Sequence, residues 1–485
     1  MRDIIFQLKP SAPISLQAQI RQNMVSAICA GQLSAGERIP SSRRLADLLN
    51  VSRNTVSLAY QRLLDDGFLE VRERSGYYVA GDFPTPPTPV LPTIPSPATD
   101  WSRQMRIRPS AQTNIVKPRN WRDYQYPFIY GQVDHALFPI AEWRDCVRQA
   151  LGRKWLESWT SDAVEHDDPM LVEQVRKRLL PARGILADED QILITLGAQH
   201  ALYMCSSLLV SERTTVAIEN PGYPDLRNIF RLRTDRIIPA TIDGEGLVVD
   251  DRLSLAQLIC TTPSHQAPTN VTMSVERREQ LLAVAAASNA LIVEDDYESE
   301  TNFVGAAVPA LKAGDADGRV IYIGSLSKTL FPGLRLGYVV ASADIIRELR
   351  ALRRLMVRHP PSNNQRAAAL FLALGHHDAL VIRLRRAYKE RWLRLRQAFA
   401  VQPAPIGALS LGGSSAWVQG PRDLDATKLA ATALTKGLII EPGDVYFMEQ
   451  PPPRRYYRLG FSSIDTDRIA PGIALLATLV HQALS

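Results

Sequence analysis

The 485-residue sequence has few cysteines, no long apolar run and no large excess of charge of either sign. Its four cysteines, at positions 29, 146, 205 and 260, are all at least 55 residues apart, which excludes CxxC metal or redox spacing and a dense disulfide framework. The most apolar stretches, residues 281–293 and 469–484, are shorter than the roughly 18 residues that a membrane helix needs. The N-terminus lacks an apolar signal-peptide core. These absences predict a cytoplasmic protein with reduced cysteines, no metal site and no membrane contact.

The charge balance is only modestly basic. Lysine and arginine number 56 against 50 aspartate and glutamate, a net charge of +6, which permits nucleic-acid binding without establishing it. Hydrophobic residues make up 46% and charged residues 22% of the chain, which is ordinary globular composition and excludes a wholly disordered protein. At roughly 150 residues per domain, the length allows two or three domains.

A proline-rich segment divides the chain. Seven of the fourteen residues at positions 84–97 are proline, and such a run favours extended polyproline II over helix or sheet. We interpret it as a semi-rigid linker, the alternative being a disordered loop inside one domain. The predicted organisation is a first domain at 1–81, a linker at 82–120 and a second domain at 121–485.

The first 80 residues have the pattern of an α+β winged helix-turn-helix. Apolar residues recur at helical spacing over 16–28, and Ser41 and Ser52 are placed to cap two further helices. Two short strands at 68–71 and 77–79, with a turn at Ser75-Gly76, predict the hairpin that forms a wing.

From about Trp121 onwards, apolar strands alternate with amphipathic helices. Strands are predicted at 191–195, 214–218, 291–294 and 320–323, with helices such as 275–288 between them. This alternation predicts an α/β domain whose mostly parallel sheet is covered on both faces. Further strands at 416–418 and 456–459 predict a smaller α+β subdomain near the C-terminus.

Lys328 follows one of these strands in a motif with chemical meaning. Ser325 and Ser327 precede it, and Arg335 follows seven residues later. A lysine amine forms a Schiff base with an aldehyde cofactor, and the hydroxyls and the guanidinium can bind its phosphate. A surface lysine in a loop is the alternative explanation of this motif taken alone.

Other segments supply what pyridoxal 5′-phosphate needs. Asp295 and Tyr297 project to the same side of a strand end, where a carboxylate can meet the ring nitrogen and a hydroxyl the phenolic oxygen. Residues 197–199 open a helix whose N-terminus can bind a phosphate, and the ring of Tyr223 can stack on a flat cofactor. An acidic helix cap is the alternative for the acids at 294–296. The residues predicted to bind the cofactor are Lys328, Asp295, Tyr297, Tyr223, Ser325, Ser327, Arg335, Gly197, Ala198 and Gln199.

Residues 121–485 resemble a fold-type I aminotransferase, and residues 10–80 resemble a GntR-type DNA-binding domain. Their fusion resembles the MocR/GabR subfamily of bacterial transcriptional regulators. This resemblance implies that Lys328 is the Schiff-base lysine, Asp295 the partner of the ring nitrogen and Tyr297 the partner of the phenolic oxygen. It also implies a homodimer that binds double-stranded operator DNA. The segments 167–174 and 441–444 resemble the taurine- and ectoine-responsive branches of the subfamily.

The resemblance also implies where DNA and effector bind. Short polar side chains at the start of a recognition helix suit base contacts, and arginines reach phosphates or guanine edges; the alternative is a solvated helix start used only for capping. Arg458 matches the arginine that takes the carboxylate of a substrate or effector. The residues implied as DNA contacts are Arg43, Ser52, Arg53, Asn54, Thr55 and the wing residue Gly76.

Two departures from the aminotransferase pattern bear on function. Ala267 stands where aminotransferases usually have the asparagine of Asn-Pro-Thr-Gly, and residues 160–185 lack the usual YGDPxG stretch. We therefore interpret the chain as a regulator that senses an amine-bearing metabolite by external aldimine formation at Lys328, with at most weak transaminase activity. The alternatives are an active aminotransferase with an accessory DNA-binding domain, and a DNA-binding module on a scaffold that has lost its cofactor.

Overall fold

A computed structural model describes residues 8–81, 99–303, 308–402, 406–410 and 413–485 of the chain. The chain divides into two compact units, the first ending at Gln104 and the second beginning at Met105. The proline-rich run at 84–97 lies outside the described residues, so its extended conformation stays a prediction. All four cysteines are free thiols.

The first unit contains three helices followed by a hairpin, as the sequence pattern predicts, and a short fourth helix at its end. Its elements are α1 (Leu16–Cys29), α2 (Ser42–Leu49), α3 (Arg53–Asp65), β1 (Leu69–Arg72), β2 (Gly76–Val79) and α4 (Trp101–Gln104). Ile20, Met24, Val56 and Leu63 are fully buried and belong to one apolar cluster. The core is therefore made by the facing apolar sides of α1 and α3, closed by the hairpin.

The turn between α2 and α3 is specified locally. Ser41 accepts a hydrogen bond from the N–H of Arg44 at the start of α2, and Ser52 accepts one from Thr55 at the start of α3. Asn50 ends α2 with φ at 50°, a left-handed conformation that asparagine tolerates better than most residues. Caps and turn together fix where the recognition helix begins.

The second unit is built around an eight-stranded sheet. The strands of this unit, in chain order, are β3 (Tyr126–Pro127), β4 (Ile192–Thr195), β5 (Val216–Asn220), β6 (Ile237–Asp243), β7 (Gly246–Leu247), β8 (Leu258–Thr261), β9 (Leu291–Asp296), β10 (Val320–Ser325), β11 (Gly337–Val340), β12 (Ala408–Leu409), β13 (Ser415–Gln419), β14 (Leu438–Ile439), β15 (Glu441–Pro442) and β16 (Tyr456–Gly460). The strand order in the large sheet is β4-β11-β10-β9-β8-β5-β6-β7. Six of these strands run in one direction, and β11 and β7 run in the other.

One strand begins later than its sequence predicts. The strand predicted at 214–218 is observed as β5, which spans Val216–Asn220. It does not include Thr214, because the side chain of Thr214 accepts a hydrogen bond from the N–H of Ser211 in the preceding turn. The polar start of the apolar run is thus used to close the turn and not to extend the strand.

Helices cover both faces of the large sheet. In β10, Ile321 and Ile323 enter one apolar cluster and Tyr322 enters another on the opposite side, as the period-two alternation of a strand requires. The helices of the second unit are α5 (Ile140–Ala150), α6 (Leu156–Thr160), α7 (Pro169–Gln174), α8 (Ala198–Leu209), α9 (Pro224–Arg231), α10 (Val275–Ser288), α11 (Ala343–Val357), α12 (Ser362–Ala373), α13 (His376–Ala400), α14 (Ala426–Thr435) and α15 (Thr466–Leu484).

A smaller antiparallel sheet, β12-β13-β16-β15, forms the C-terminal part of the second unit. Its central strand β16 places Arg458 opposite Trp417 of β13 on one side and opposite Glu441 of β15 on the other. The predicted strands at 416–418 and 456–459 are therefore neighbours in one sheet, and the register of β16 brings Arg458 beside Glu441.

The segment that leads into the second unit is packed against it. Gln112 donates to the backbone carbonyl of Asn228 at 3.1 Å, and Asn228 donates back to the carbonyl of Thr113 at 3.0 Å. The sequence predicts a linker over 82–120, whereas residues 105–120 group with the second unit in the structure.

Over the described ranges, no single helix is long and apolar enough to cross a membrane; only α12 and α13 pass the length and composition test, as a pair bent by 74°.

Candidate functional site

A cavity of about 260 Å³ opens where the parallel strands of the large sheet end. The carboxyl ends of parallel strands are where ligands bind in open α/β sheets. Nine of the ten residues predicted to bind the cofactor line this cavity, and the tenth, Gly197, lies directly beside Arg335. Residues far apart in the sequence are thus brought to one place by the order of the strands.

Lys328 follows β10 by three residues and its amine lies among aromatic rings. Its Nζ is 4.1 Å from the centroid of the Tyr130 ring and 5.9 Å from that of Tyr297. Burial lowers the pKa of this amine, and the positive charge of Arg458 lowers it further. A lowered pKa provides unprotonated amine at neutral pH, which is the form that attacks an aldehyde.

Asp295 and Asp296 end β9 and point to opposite sides. Asp295 lines the cavity, and its Oδ1 atom is buried without a hydrogen-bond partner. Burial, together with the nearby carboxylates of Asp296 and Glu219, raises the pKa of Asp295 to about 7. Asp296 instead accepts hydrogen bonds from Arg183 at 2.7 Å and Tyr322 at 2.8 Å. One acid is therefore directed into the cavity, and the other is part of a buried ion pair.

The opposite end of the cavity has the composition of a phosphate site. Gly197, with φ at 82°, starts α8, and a Cβ built on it would lie only 3.2 Å from the guanidinium of Arg335. Arg335 donates to the carbonyl of Leu196 at 2.9 Å, so its positive charge is held at the N-terminus of the helix. The hydroxyl oxygen of Ser327 is buried without a partner. A guanidinium, a hydroxyl and a helix N-terminus together suit a phosphate.

Tyr223 is held in place by an acidic residue. Its hydroxyl donates to Asp225 at 3.0 Å, and the side chain of Gln199 donates to the same carboxylate at 3.3 Å. Arg227, two residues further on, does not line this cavity. It donates to the backbone carbonyls of Val445 and Phe447 and so supports the loop beside the site.

Arg458 lies at the far side of the cavity and is paired with a carboxylate of the protein. Its Nη2 is 2.6 Å from Glu441, which also accepts a hydrogen bond from Tyr446 at 2.5 Å. The guanidinium lies 3.7 Å from the centroid of the Tyr130 ring. Burial opposes the charged form of Arg458, but the carboxylate of Glu441 and the nearby phenols outweigh burial and raise the pKa of the guanidinium. This side chain is therefore a permanent cation.

Ala267 also lines the cavity and offers no polar side-chain atom there. The adjacent Gln266 does not replace the missing asparagine, because its amide donates to Glu219, to the carbonyl of Pro221 and to the carbonyl of Ala267. The departure noted in the sequence is therefore a real loss of one hydrogen-bond donor at the site.

Several lining residues are not predicted from the sequence, and among them are Lys117, Tyr130 and Tyr446. Tyr130 closes an aromatic stretch that begins at Tyr126, and that local aromatic density was a signal for it. Lys117 lies in a stretch without regular secondary structure, and nothing in its neighbourhood in the sequence indicates a site.

The residues present fit pyridoxal phosphate. The buried, unpartnered oxygens of Asp295 and Ser327 are unfavourable unless a ligand supplies partners, and the ring nitrogen and the phosphate of this cofactor are such partners. The space kept open by Gly197 beside Arg335 suits the phosphate end, and the Lys328 amine suits the aldehyde.

The predicted DNA contacts lie in the first unit. Arg43, Arg53 and Asn54 are exposed, and Thr55 is half-buried. The Ser52 hydroxyl caps α3 and lies 2.8 Å from the hydroxyl of Thr55, so these two side chains also have a structural role. In the hairpin, Gly76 has φ at 111°, a conformation that only glycine adopts without strain.

We expect Arg53→Ala to weaken operator binding by about 1–3 kcal/mol and to relax specificity at one base position, because an exposed arginine at the start of a recognition helix can read a guanine. A gel-shift series over operators with single base changes measures this. Arg62→Ala, at the far end of α3, is the matched control. Uniform weakening on every sequence, with a shallower salt dependence, would instead assign Arg53 to a phosphate contact.

Two family models match the chain, one for each unit. The model described as aminotransferase class I and II matches residues 166–468, and the gntR family of bacterial regulatory proteins matches residues 16–79. Over 97% of this chain and 98% of its own length, the HTH-type transcriptional regulator TauR of Rhodobacter capsulatus is 43% identical. The chain belongs to the MocR-type GntR transcriptional regulators.

Other relatives of this MocR-type regulator agree with that membership. The probable rhizopine catabolism regulatory protein MocR of Rhizobium meliloti is 29% identical over 96% of this chain and 94% of its own. Among solved structures, Pyrococcus horikoshii kynurenine aminotransferase in complex with PMP superposes with a TM-score of 0.70 at 25% identity, covering 80% of this chain and 98% of that one.

These likenesses confirm the predicted fold class and cofactor. The MocR-type regulator is a DNA-binding protein with an N-terminal winged helix-turn-helix and a fold-type I aminotransferase-like domain that depends on pyridoxal 5′-phosphate. The similarity to TauR agrees with the taurine branch of the two branches that the sequence resembles.

Proposed function

We propose that the aminotransferase-like domain senses an amine-bearing metabolite and that binding of this effector changes how the regulator binds operator DNA. The observation that carries the proposal is the cavity in which Lys328, Asp295, Tyr297 and Arg335 meet, in the same chain as a DNA-binding unit. An intact set of cofactor-binding side chains would have no function in a regulator that read DNA alone.

Within this proposal, Lys328 holds the aldehyde end of the cofactor. When bound, the cofactor supplies an aldehyde carbon that accepts an amine. Asp295 accepts a hydrogen bond from the protonated ring nitrogen, and its otherwise unpartnered Oδ1 supports this role. Tyr297 hydrogen-bonds the phenolic oxygen, and the ring of Tyr223 stacks on the cofactor.

The phosphate end is held by hydroxyls, backbone N–H groups and a guanidinium. Ser325 and Ser327 follow β10, and Arg335 lies beside the start of α8. Ala198 and Gln199 line the cavity from the first turn of that helix, where backbone N–H groups are free to bind an anion. These roles follow the family motif and are supported by the positions of the side chains.

The proposed effector carries an amino group that competes with Lys328 and an acid group at the other end. Arg458 is the residue that we assign to the acid group, because it is buried beside Tyr130 at the cavity wall. The similarity to TauR favours an aminosulfonate or a related short amino acid as the effector.

We further propose that the regulator is a cytoplasmic homodimer that binds two operator half-sites. Symmetric dimers bind repeated half-sites, because each recognition helix reads one of them. The end of α11 carries three consecutive exposed apolar residues, Leu355, Met356 and Val357, and exposed apolar surface of this kind is available to a second subunit.

The competing function, an active aminotransferase with an accessory domain, predicts rapid turnover. We expect the cofactor-loaded regulator to bind amines without producing keto acid at the rate of about 1 per second or faster that is typical of enzymes, since Ala267 offers no donor to the phenolic oxygen. A keto-product assay with amine and a partner keto acid, read together with operator binding, tests this. Rapid keto-acid formation with operator binding indifferent to every amine would establish the enzyme instead.

A further inference from the structure

We infer that Lys117 is a second specificity-determining residue of the effector site, and that its ammonium group binds the acid group of an effector together with Arg458 while the effector's amine occupies the position of the Lys328 amine. The inference rests on the proposed function and deepens it, because it adds to Arg458 a second cation that separates acidic amines from plain amines.

The two amines lie close together across the cavity. Lys117 lines the cavity and donates to the backbone carbonyl of Tyr130 at 2.7 Å. A Cβ built on Gly131 would lie 2.8 Å from Nζ of Lys328 and 3.8 Å from Nζ of Lys117. Both nitrogens are thus within 4 Å of the same point beside Gly131. A short molecule with an amine at one end and an acid at the other therefore spans the distance between them.

The charges around the cavity leave one cation without a counter-ion. Glu441 forms an ion pair with Arg458 at 2.6 Å, whereas Lys117 has no carboxylate within ion-pair distance among residues 8–81, 99–303, 308–402, 406–410 and 413–485. Lys117 and Arg458 are therefore both influenced by the single carboxylate of Glu441, and one further anionic group would balance these two cations. An isolated charge is costly to bury, and the acid group of an effector removes that cost.

Lys117 remains charged at neutral pH despite its surroundings. Burial lowers its pKa to about 8, the carboxylate of Glu441 opposes that change, and the positive charges of Lys328 and Arg458 reinforce it. The side chain is thus mainly protonated at pH 7 and loses its proton as the pH rises past 8. A bound acid group would raise this pKa, because it favours the charged form.

The segment that carries Lys117 also connects the effector site to the first unit by a short length of chain. Ile115 packs against the apolar cluster of Trp417, Val445 and Tyr446. Lys117 comes 13 residues after Gln104, the last residue of the first unit. Lys117 thus belongs to the segment by which the second unit is joined to the DNA-binding unit.

The test compares acidic and plain amines on the full-length, cofactor-loaded protein. The probes are 2-aminoethanesulfonate, 3-aminopropanoate and ethylamine, and their affinities are measured by visible absorbance and by operator binding. Lys117→Gln should weaken binding of the two acids by about tenfold or more, the effect of losing a charged hydrogen bond, and leave ethylamine unchanged. Lys117→Arg should restore acid binding, and Lys389→Gln, an exposed lysine on α13, is the control. Weaker binding of only one of the two acids would support the inference and would identify the acid group that Lys117 binds.

A pH series provides a second measurement, and its wild-type part does not depend on how well a variant folds. In the wild-type protein, the preference for an acidic amine over ethylamine should fall above pH 8, and in Lys117→Gln it should be flat. Equal weakening of all three amines, or unchanged acid binding in Lys117→Gln, would overturn the inference while leaving the proposed function standing. A wild-type protein that responds to none of the amines would overturn the proposed function, and the inference with it.

Discussion

Replacement of Lys328 by alanine should abolish covalent fixation of the cofactor by borohydride completely. Borohydride makes the bond between an aldehyde cofactor and a lysine irreversible, and Lys328 is the lysine whose amine lies at the cavity between the rings of Tyr130 and Tyr297. The wild-type protein should be yellow, should keep its cofactor through denaturation after borohydride treatment, and should yield a single labelled peptide that contains residue 328.

The control for this experiment is Lys389→Ala, an exposed lysine on α13, which should be labelled like the wild type. Operator binding by Lys328→Ala in the absence of effector should persist, because Lys328 belongs to the second unit and the predicted DNA contacts belong to the first. A label on Lys117, the other lysine at the cavity, would show that the lysine has been wrongly assigned.

The two neighbouring acids of β9 should give opposite results. Asp295→Ala should weaken cofactor binding by about 10- to 100-fold, the range expected for loss of a charged hydrogen bond. Asp296→Ala should instead destabilise the second unit by about 3–5 kcal/mol, because it leaves Arg183 as a buried cation without its carboxylate. Equilibrium binding of the cofactor and denaturant unfolding of the cofactor-free protein measure the two effects separately.

The conservative variant Asp295→Asn adds a pH test. The pKa of Asp295 is raised to about 7 in the folded protein from about 3.9 in an unfolded chain. Its contribution to the stability of the cofactor-free protein is therefore present at low pH and is lost as the pH rises through 7. Above pH 7, cofactor-free Asp295→Asn should be more stable than the wild type. Equal loss of cofactor from the Asp295 and Asp296 variants would contradict the assignment of their two sides.

Much of the site could be predicted because its residues follow strands. Asp295 lies at the end of an apolar run and Lys328 follows another by a few residues, and the carboxyl ends of parallel strands meet at one edge of a sheet. The helix predicted at 275–288 is observed as α10 with the same bounds, because Ser274 caps it and Asn289 ends it in a left-handed conformation. The cap and the left-handed residue are local signals, which can be recognised in a single sequence.

The remaining features depend on contacts between distant residues. Lys117 reaches the cavity because its segment is hydrogen-bonded to Asn228, more than 100 positions away, and no periodicity predicts that pairing. The ion pair between Glu441 and Arg458 depends on the register of β15 and β16, which the apolar pattern of two short strands does not specify. The sequence accordingly predicted the cofactor side of the cavity better than the effector side.

The central claim, that an amine acts through the cofactor site on DNA binding, is tested most directly by one titration with two readouts. A single preparation of the full-length, cofactor-loaded protein is titrated with 2-aminoethanesulfonate while visible absorbance and operator binding are recorded together, and Lys328→Ala is titrated in parallel. We predict that absorbance and operator binding change with the same midpoint in the wild type and that the variant shows neither change. An operator-binding response that persists in Lys328→Ala, or an absorbance change that leaves operator binding unaltered, would contradict the account.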